Sequence, residues 1–192
     1  NSLFPDSRNN QERHTQLFAD GVQQQIVLTT DTDVYVSFVN EQATIGNVLG
    51  YYIYNSNSVP GSSEDIDKQL IFPNIDNTHL ATGDTRKLGS TQLKAGTVIG
   101  FFLIVGGYRN DGVYFKKPTY YTDVAWNQDN AKQHVLFQEG ECGAIVVGME
   151  DKLATTADKD FNDIIFMVSD NPTPKDVPTT SFQLQNVVTL TK

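Results

Sequence analysis

The densest chemistry in the sequence lies between Gly148 and Val168. Glu150, Asp151, Asp158, Asp160 and Asp163 place five carboxylates within fourteen residues, and Asn162 adds an amide oxygen among them. Asp158, Asp160 and Asn162 stand at alternate positions, Asp163 follows at once, and the chain then turns apolar. Hard cations such as calcium take six to eight oxygen ligands from carboxylates, amides and backbone carbonyls. This pattern therefore predicts a calcium-type loop that leads into the start of a β-strand. Glu150, Asp151, Asp158, Asp160, Asn162 and Asp163 are the metal-ligand candidates.

The opening Asp-x-Asp-x-Asn spacing has the form of an EF-hand loop, but its sixth position is Asp163 rather than Gly and its twelfth is Ser169 rather than Glu. A strand, not a helix, is expected to follow. Asp163 is the most constrained carboxylate: strand alternation places it on one face with Phe161, Ile165 and Met167. A buried charge needs a cation, a basic partner or several donors, and Lys152 and Lys159 are the basic residues nearby. The alternative is a solvated acidic turn that uses Asp and Asn for their turn propensity.

Other constellations are thinner. His14, His79 and His134 are scattered and Cys142 is the only cysteine, so zinc or redox-metal spacing is missing. Cys142 is expected to be a small buried residue. Asn127, Asp129 and Asn130 could form a second polar or metal-binding loop, against the alternative of an ordinary loop. Tyr52 is a candidate for a ligand-binding face, although alternation sends Tyr51 to the opposite side from Tyr52 and Tyr54. No Ser/His/Asp set has recognisable local context. Five acids in one loop suit a cation better than the two flanking carboxylates of a glycosidase. The chain is expected not to be an enzyme.

These residues must be positioned by strands. Ile26–Thr30, Asp33–Val39, Gly50–Tyr54, Gln69–Phe72 and Gln133–Gln138 have strand character, Pro73 being expected to stop the fourth of these ahead of a polar stretch over 74–92. So do Tyr114–Phe115 and Thr119–Asp123 around Pro118. Ala95–Val105 and Gly143–Gly148 are apolar on both faces and read as buried strands. Phe161–Val168 leaves the acidic loop, so that loop tips a hairpin. A short helix is expected over residues 9–19. Ser169–Thr180 is an extended connector with three prolines, and Phe182–Leu190 a possible added edge strand. The predicted architecture is all-β: a single antiparallel β-sandwich or jelly roll over residues 1–170, then a proline-rich connector and edge strand over 171–192.

The 192 residues suffice for one domain with a sizeable core. A net charge of −9 argues against nucleic acid and anionic lipid as partners. No apolar run approaches the length of a transmembrane span. The sequence starts without Met or a signal peptide, which is compatible with a processed, exported chain.

Several segments, in order, resemble a known family: Asn47–Tyr54, Leu70–Asn74, Ala95–Leu103, His134–Leu136, and Gly148-Met-Glu-Asp151 with Asp158-Lys-Asp-Phe-Asn-Asp163. Together they resemble the bacterial domain of unknown function number 4114, over about residues 30–170. That family occurs in exported, often very long, adhesin-like surface proteins. The resemblance implies a calcium-dependent β-sandwich, some relatives of which capture peptide termini with the help of calcium. Carried over by position, the six acidic-loop residues would bind the metal, and Asn127 and Asp129 match a second polar loop more loosely. The family's glycine-rich bridge is replaced here by Leu153-Ala-Thr-Thr-Ala157. The expectation is a non-catalytic, calcium-dependent binding module at a bacterial surface or outside the cell. It would be one part of a larger protein, with a peptide or glycan ligand. A calcium-stapled spacer is the runner-up, and a polysaccharide hydrolase comes behind both.

Overall fold

The computed structural model describes residues 3–5, 8–76, 78–110, 112–141, 143–152, 157–173 and 177–191. Short β-branched and aromatic runs between turn residues give a chain that is mostly β. The strands, in order, are β1 (Ile26–Val27), β2 (Tyr35–Glu41), β3 (Asn47–Asn55), β4 (Gln69–Ile75), β5 (Thr85–Lys87), β6 (Thr97–Ile104) and β7 (Tyr108–Arg109). They continue with β8 (Gly112–Val113), β9 (Thr119–Tyr121), β10 (His134–Glu139), β11 (Ile145–Met149), β12 (Ile164–Ser169) and β13 (Val188–Leu190).

One sheet has the order β1-β6-β3-β4, with β9 also paired to β6, and the other runs β13-β10-β11-β12-β2-β5. A small β7-β8 ribbon stands apart. All pairings are antiparallel except β10 with β13, which is parallel, so the second sheet is mixed. The two sheets share one core in a sandwich-like arrangement. Val36, Phe38, Val147 and Phe166 of one sheet cluster with Leu49, Phe72, Phe101 and Leu103 of the other. Phe101 meets Phe166 edge-on at 4.9 Å, and Phe38 meets Phe72 at 6.4 Å.

Both outer faces are covered as well, which explains why β6 and β11 are apolar throughout rather than alternating. On the six-stranded sheet the cover is the N-terminal segment: Phe4 and Leu17 pack with Val135, Phe137, Phe161 and Ile165. Phe4 stacks on Phe137 at 5.2 Å. The helix expected over residues 9–19 is α1 (Asn10–Arg13) followed by a 3-10 turn at Thr15–Phe18. The break falls at His14, whose ring bonds the Leu3 carbonyl at 2.9 Å. On the five-stranded sheet, loops cover a second cluster that contains Tyr52, Phe102 and Tyr121.

Three further details depart from the sequence reading. β4 runs through Pro73 instead of stopping there, because it is an edge strand and the ring costs no ladder bond on the open side. Tyr114 and Phe115 are exposed loop residues outside any strand; β7 and β8 form just before them. β5 forms in the polar stretch 74–92 as an edge strand on β2. Cys142 and most of the hairpin tip, 153–156, lie outside the described residues. No helix among the described residues is long and apolar enough to cross a membrane.

Candidate metal centre

β11 and β12 are antiparallel neighbours, with Met149 opposite Ile164, so the acidic stretch does tip a hairpin. Glu150 and Asp151 leave β11, and Asp158–Asp163 returns to β12. The return path is tight. A Cβ on Gly148 would sit 2.3 Å from the Phe161 carbonyl oxygen, so only glycine lets the returning chain lie this close. Lys159 and Phe161 both adopt left-handed backbone, at φ 61° and 55°. Such conformations cost about 1–3 kcal/mol each in a non-glycine residue and persist only where the surroundings impose them. They also interrupt strand alternation. β12 starts at Ile164, so the period-two argument does not reach Asp163, although its carboxylate is buried all the same.

The hairpin brings Glu150, Asp158 and Asp160 together, with one carboxylate oxygen of each within 4.8 Å of the others. Glu150 and Asp160 are only 1 % and 2 % exposed, whereas Asp158 faces solvent. One Glu150 oxygen accepts the Phe161 N–H at 2.8 Å. Its other oxygen, Oε2, is buried with no hydrogen-bond donor among the described residues, and so is Oδ1 of Asn162. Burial, reinforced by the charges of Asp163, Asp160 and Asp158, pushes the Glu150 carboxyl up to about 8, against the pull of the Phe161 N–H. Among the described residues no lysine or arginine forms an ion pair with Glu150.

Asp151 and Asp163 form an adjoining pair. The Asp151 N–H donates to Asp163 Oδ2 at 2.8 Å, and Asn47 Nδ2 donates to Asp151 Oδ2 at 3.0 Å. Asn47 is fixed in turn by the Gly106 N–H on its Oδ1, at 2.9 Å. Burial raises the Asp163 carboxyl well above its ordinary value, with help from the Asp151 and Asp160 charges. Lys152 is exposed and feels the same negative field, which raises its own pKa, Asp163 contributing most.

The N-terminal segment is fastened to this hairpin. Asn10 donates its backbone N–H to the Lys159 carbonyl at 2.9 Å and its amide to the Asp160 carbonyl at 2.8 Å. Asn162 Nδ2 returns a bond to the Phe4 carbonyl at 3.2 Å. Gln133 is buried under the hairpin, its Nε2 donating to the Lys152 carbonyl and its own carbonyl accepting the Glu150 N–H at 3.0 Å. Beside Glu150 a cavity of about 180 Å³ is lined by Lys132, Gln133, Lys159 and Phe161. A cluster of three carboxylates, one with a buried oxygen that has no donor among the described residues, fits a hard cation. It does not fit zinc, which prefers nitrogen and sulfur. Asn10, Asn47 and Gln133 were not legible as site residues, because each lies far along the chain and carries no local motif.

The other candidates are placed elsewhere. Asn127 is buried and its amide is committed to backbone: it accepts from Tyr121 N–H and donates to the Tyr121 and Ala131 carbonyls, at 2.8–2.9 Å. Asp129 is exposed in a left-handed turn at φ 56°. Tyr52 is fully buried, and its hydroxyl donates to Asp123 Oδ2 at 2.6 Å. None of the three joins the acidic hairpin's cluster. His134 is also buried, which pushes its pKa down to about 3 and leaves the ring neutral.

No curated protein and no solved structure is matched by the chain. Residues 93–171, from the approach to β6 through β12 and so including the whole acidic hairpin, match the family model described as Domain of unknown function (DUF4114).

Proposed function

We propose that this chain is a non-catalytic, calcium-dependent binding module of an exported surface or adhesin-like protein, with a peptide or glycan as its ligand. The observation that carries the reading is Glu150: a buried carboxylate with one oxygen that has no donor among the described residues, and with a carboxylate oxygen within 4.8 Å of those of Asp158 and Asp160. Without a cation this arrangement is costly, because like charges in a dehydrated site repel. With calcium, Glu150, Asp158 and Asp160 supply carboxylate oxygens and Asn162 an amide oxygen, while Asp151 and Asp163 lie one step behind. The fold class this reading implies is a calcium-stabilised antiparallel sandwich of the jelly-roll kind, with one parallel edge strand added.

A second reading is favoured by the bonds from Asn10 and Asn162 that tie the N-terminal segment to the same hairpin. In it the ion is a structural staple for that junction and touches no ligand. Calorimetric titration with calcium separates these readings from a solvated acidic turn. Wild type is expected to bind calcium, and Asp160→Ala and Asp163→Ala to bind it at least tenfold more weakly, a change of about 1.4 kcal/mol. Equal calcium binding by all three proteins, or none by wild type, removes the assignment.

A further inference from the structure

The loops over the five-stranded sheet do not close completely. Between them a cleft of about 300 Å³ stays open above Phe102, Ile104 and Tyr121, which are themselves buried. One wall carries Lys68, from the connection between β3 and β4. The other carries Phe115 and Lys117, from the segment after β8. That volume is at the lower end for small-ligand sites, where an apolar floor and a few convergent polar groups are the usual design.

Two features of the cleft lack a structural reason. Phe115 is an aromatic residue left 58 % exposed at its rim. Isolated exposed apolar residues are ordinary, but this one stands on a cleft that Lys68 and Lys117 also line. The two lysines are half-buried, and neither forms an ion pair among the described residues. Lys68 instead rests its ammonium 5.2 Å from the centroid of the Tyr121 ring. In a chain of net charge −9, acidic partners are abundant, and Lys87 and Lys94 have found theirs in Asp33 and Asp31. Two lysines that form no ion pair among the described residues, against Glu64 as the one carboxylate that lines the cleft, thus leave it a small net positive charge on a negative protein.

We propose that this cleft binds an acidic saccharide, one hexuronate residue at a time. Lys68 and Lys117 hold the sugar carboxylate. The ring's polarised C–H face lies on Phe115, whose π face is electron-rich. Glu64 and the Thr119 hydroxyl, which also line the cleft, accept hydrogen bonds from ring hydroxyls. The Glu64 carboxylate distinguishes a polyol acid from a simple fatty or aromatic acid, which would set no donor against it. The site goes beyond the calcium-centred reading and does not depend on it, since none of these residues belongs to the acidic hairpin.

The test is calorimetric titration of the full chain with trigalacturonate and with maltotriose as the neutral control, at low salt. Each titration is run in calcium and in excess chelator, for wild type, Lys68→Ala/Lys117→Ala, Phe115→Ala and Asp160→Ala. Trigalacturonate is expected to bind and maltotriose to bind at least tenfold more weakly. Binding should persist in chelator and in Asp160→Ala. The double lysine variant should lose about tenfold or more, the scale of one charge contact, and Phe115→Ala about threefold or more. The proposal is overturned if trigalacturonate does not bind, if both trisaccharides bind alike, or if the double lysine variant binds as wild type does. Binding that needs calcium and fails in Asp160→Ala, but not in the lysine variant, places the saccharide at the acidic hairpin. That result overturns this site and leaves the calcium reading standing.

Discussion

Two acidic turns in this protein treat their carboxylates in opposite ways. Asp170 sits just after β12 and accepts the backbone N–H groups of Thr180 and Ser181, both at 2.9 Å. Its other oxygen accepts from the Asn171 amide at 3.1 Å. Those donors hold its pKa below the ordinary value despite partial burial. Glu150, one β-hairpin away, is buried more deeply, accepts one N–H, faces two other carboxylates, and is pushed up to about 8. The first turn supplies donors and is complete as protein. The second is short of positive charge, and a bound cation would make good the deficit. An acidic loop is therefore diagnosed by its donors rather than by its number of acids.

The comparison can be broken most directly with calcium and chelator. At a calcium concentration of a hundred times Kd, wild type should gain about 2.7 kcal/mol. For a domain of this size that corresponds to roughly 5–10 °C in Tm. Glu150→Gln should abolish most of that gain while making the metal-free protein no less stable at pH 8, since it removes a charge that burial disfavours. A metal-free Glu150→Gln protein much less stable than wild type would sink the idea that Glu150 lacks a partner.

Gly148→Ala is expected to cost about 1–3 kcal/mol, the range for overpacking, because its Cβ would meet the Phe161 carbonyl at 2.3 Å. Chemical denaturation measures this, and the same variant should bind calcium less tightly because the hairpin's return path is displaced.

The pH dependence sharpens the contrast by its sign. Without metal, Glu150 and Asp163 have folded-state pKa values above their unfolded ones, so the folded state holds extra protons. Their contribution is fully present below the unfolded pKa of 4.5 for Glu150 and is lost as pH rises towards its folded value of about 8. Melts in chelator should thus fall in Tm from pH 5 to pH 8, and the calcium-induced gain should grow over the same interval. Asp170 has the opposite sign: its contribution is present at neutral pH and is lost as pH falls below its ordinary value. Asp170→Asn is expected to cost about 1 kcal/mol at pH 7, limited by solvent screening, with the calcium gain unchanged. If the two variants respond to calcium alike, the distinction between the turns is wrong.

The smallest effect concerns Asp123, a third carboxylate, which accepts from Tyr52, Tyr54 and Gln25 at 2.6–3.1 Å. Tyr54→Phe should cost about 0.5–1.5 kcal/mol and leave calcium binding untouched, as thermal melts would show.

Much of the scaffold was legible. Val34-Tyr-Val-Ser-Phe38 alternates, and Val36 and Phe38 do reach the core while Tyr35 does not. The doubly apolar runs at 95–105 and 143–148 became buried strands because the covers on the outer faces bury their outward side chains as well as the inward ones. Pro73 misled, since whether a proline ends a strand depends on whether that strand is at an edge. Tyr52 misled too, because an aromatic on a strand looks the same in sequence whether a loop closes over it or not. Asp163 was rightly singled out as buried but for an incomplete reason: Phe161 leaves strand geometry just before it.

What the sequence determined by itself was local: where the strands and turns fall, and that five carboxylates crowd one hairpin. Periodicity and spacing are properties of neighbouring residues, so they can be read along the chain. Only the tertiary structure decided which carboxylates meet, which are dry, and which have donors. Asn47 reaches Asp151, and Asn10 reaches the Asp160 carbonyl, across more than a hundred residues of sequence. The electrostatics of a buried group are set by what surrounds it in space, and for Glu150 those surroundings are assembled only when the hairpin folds back on itself.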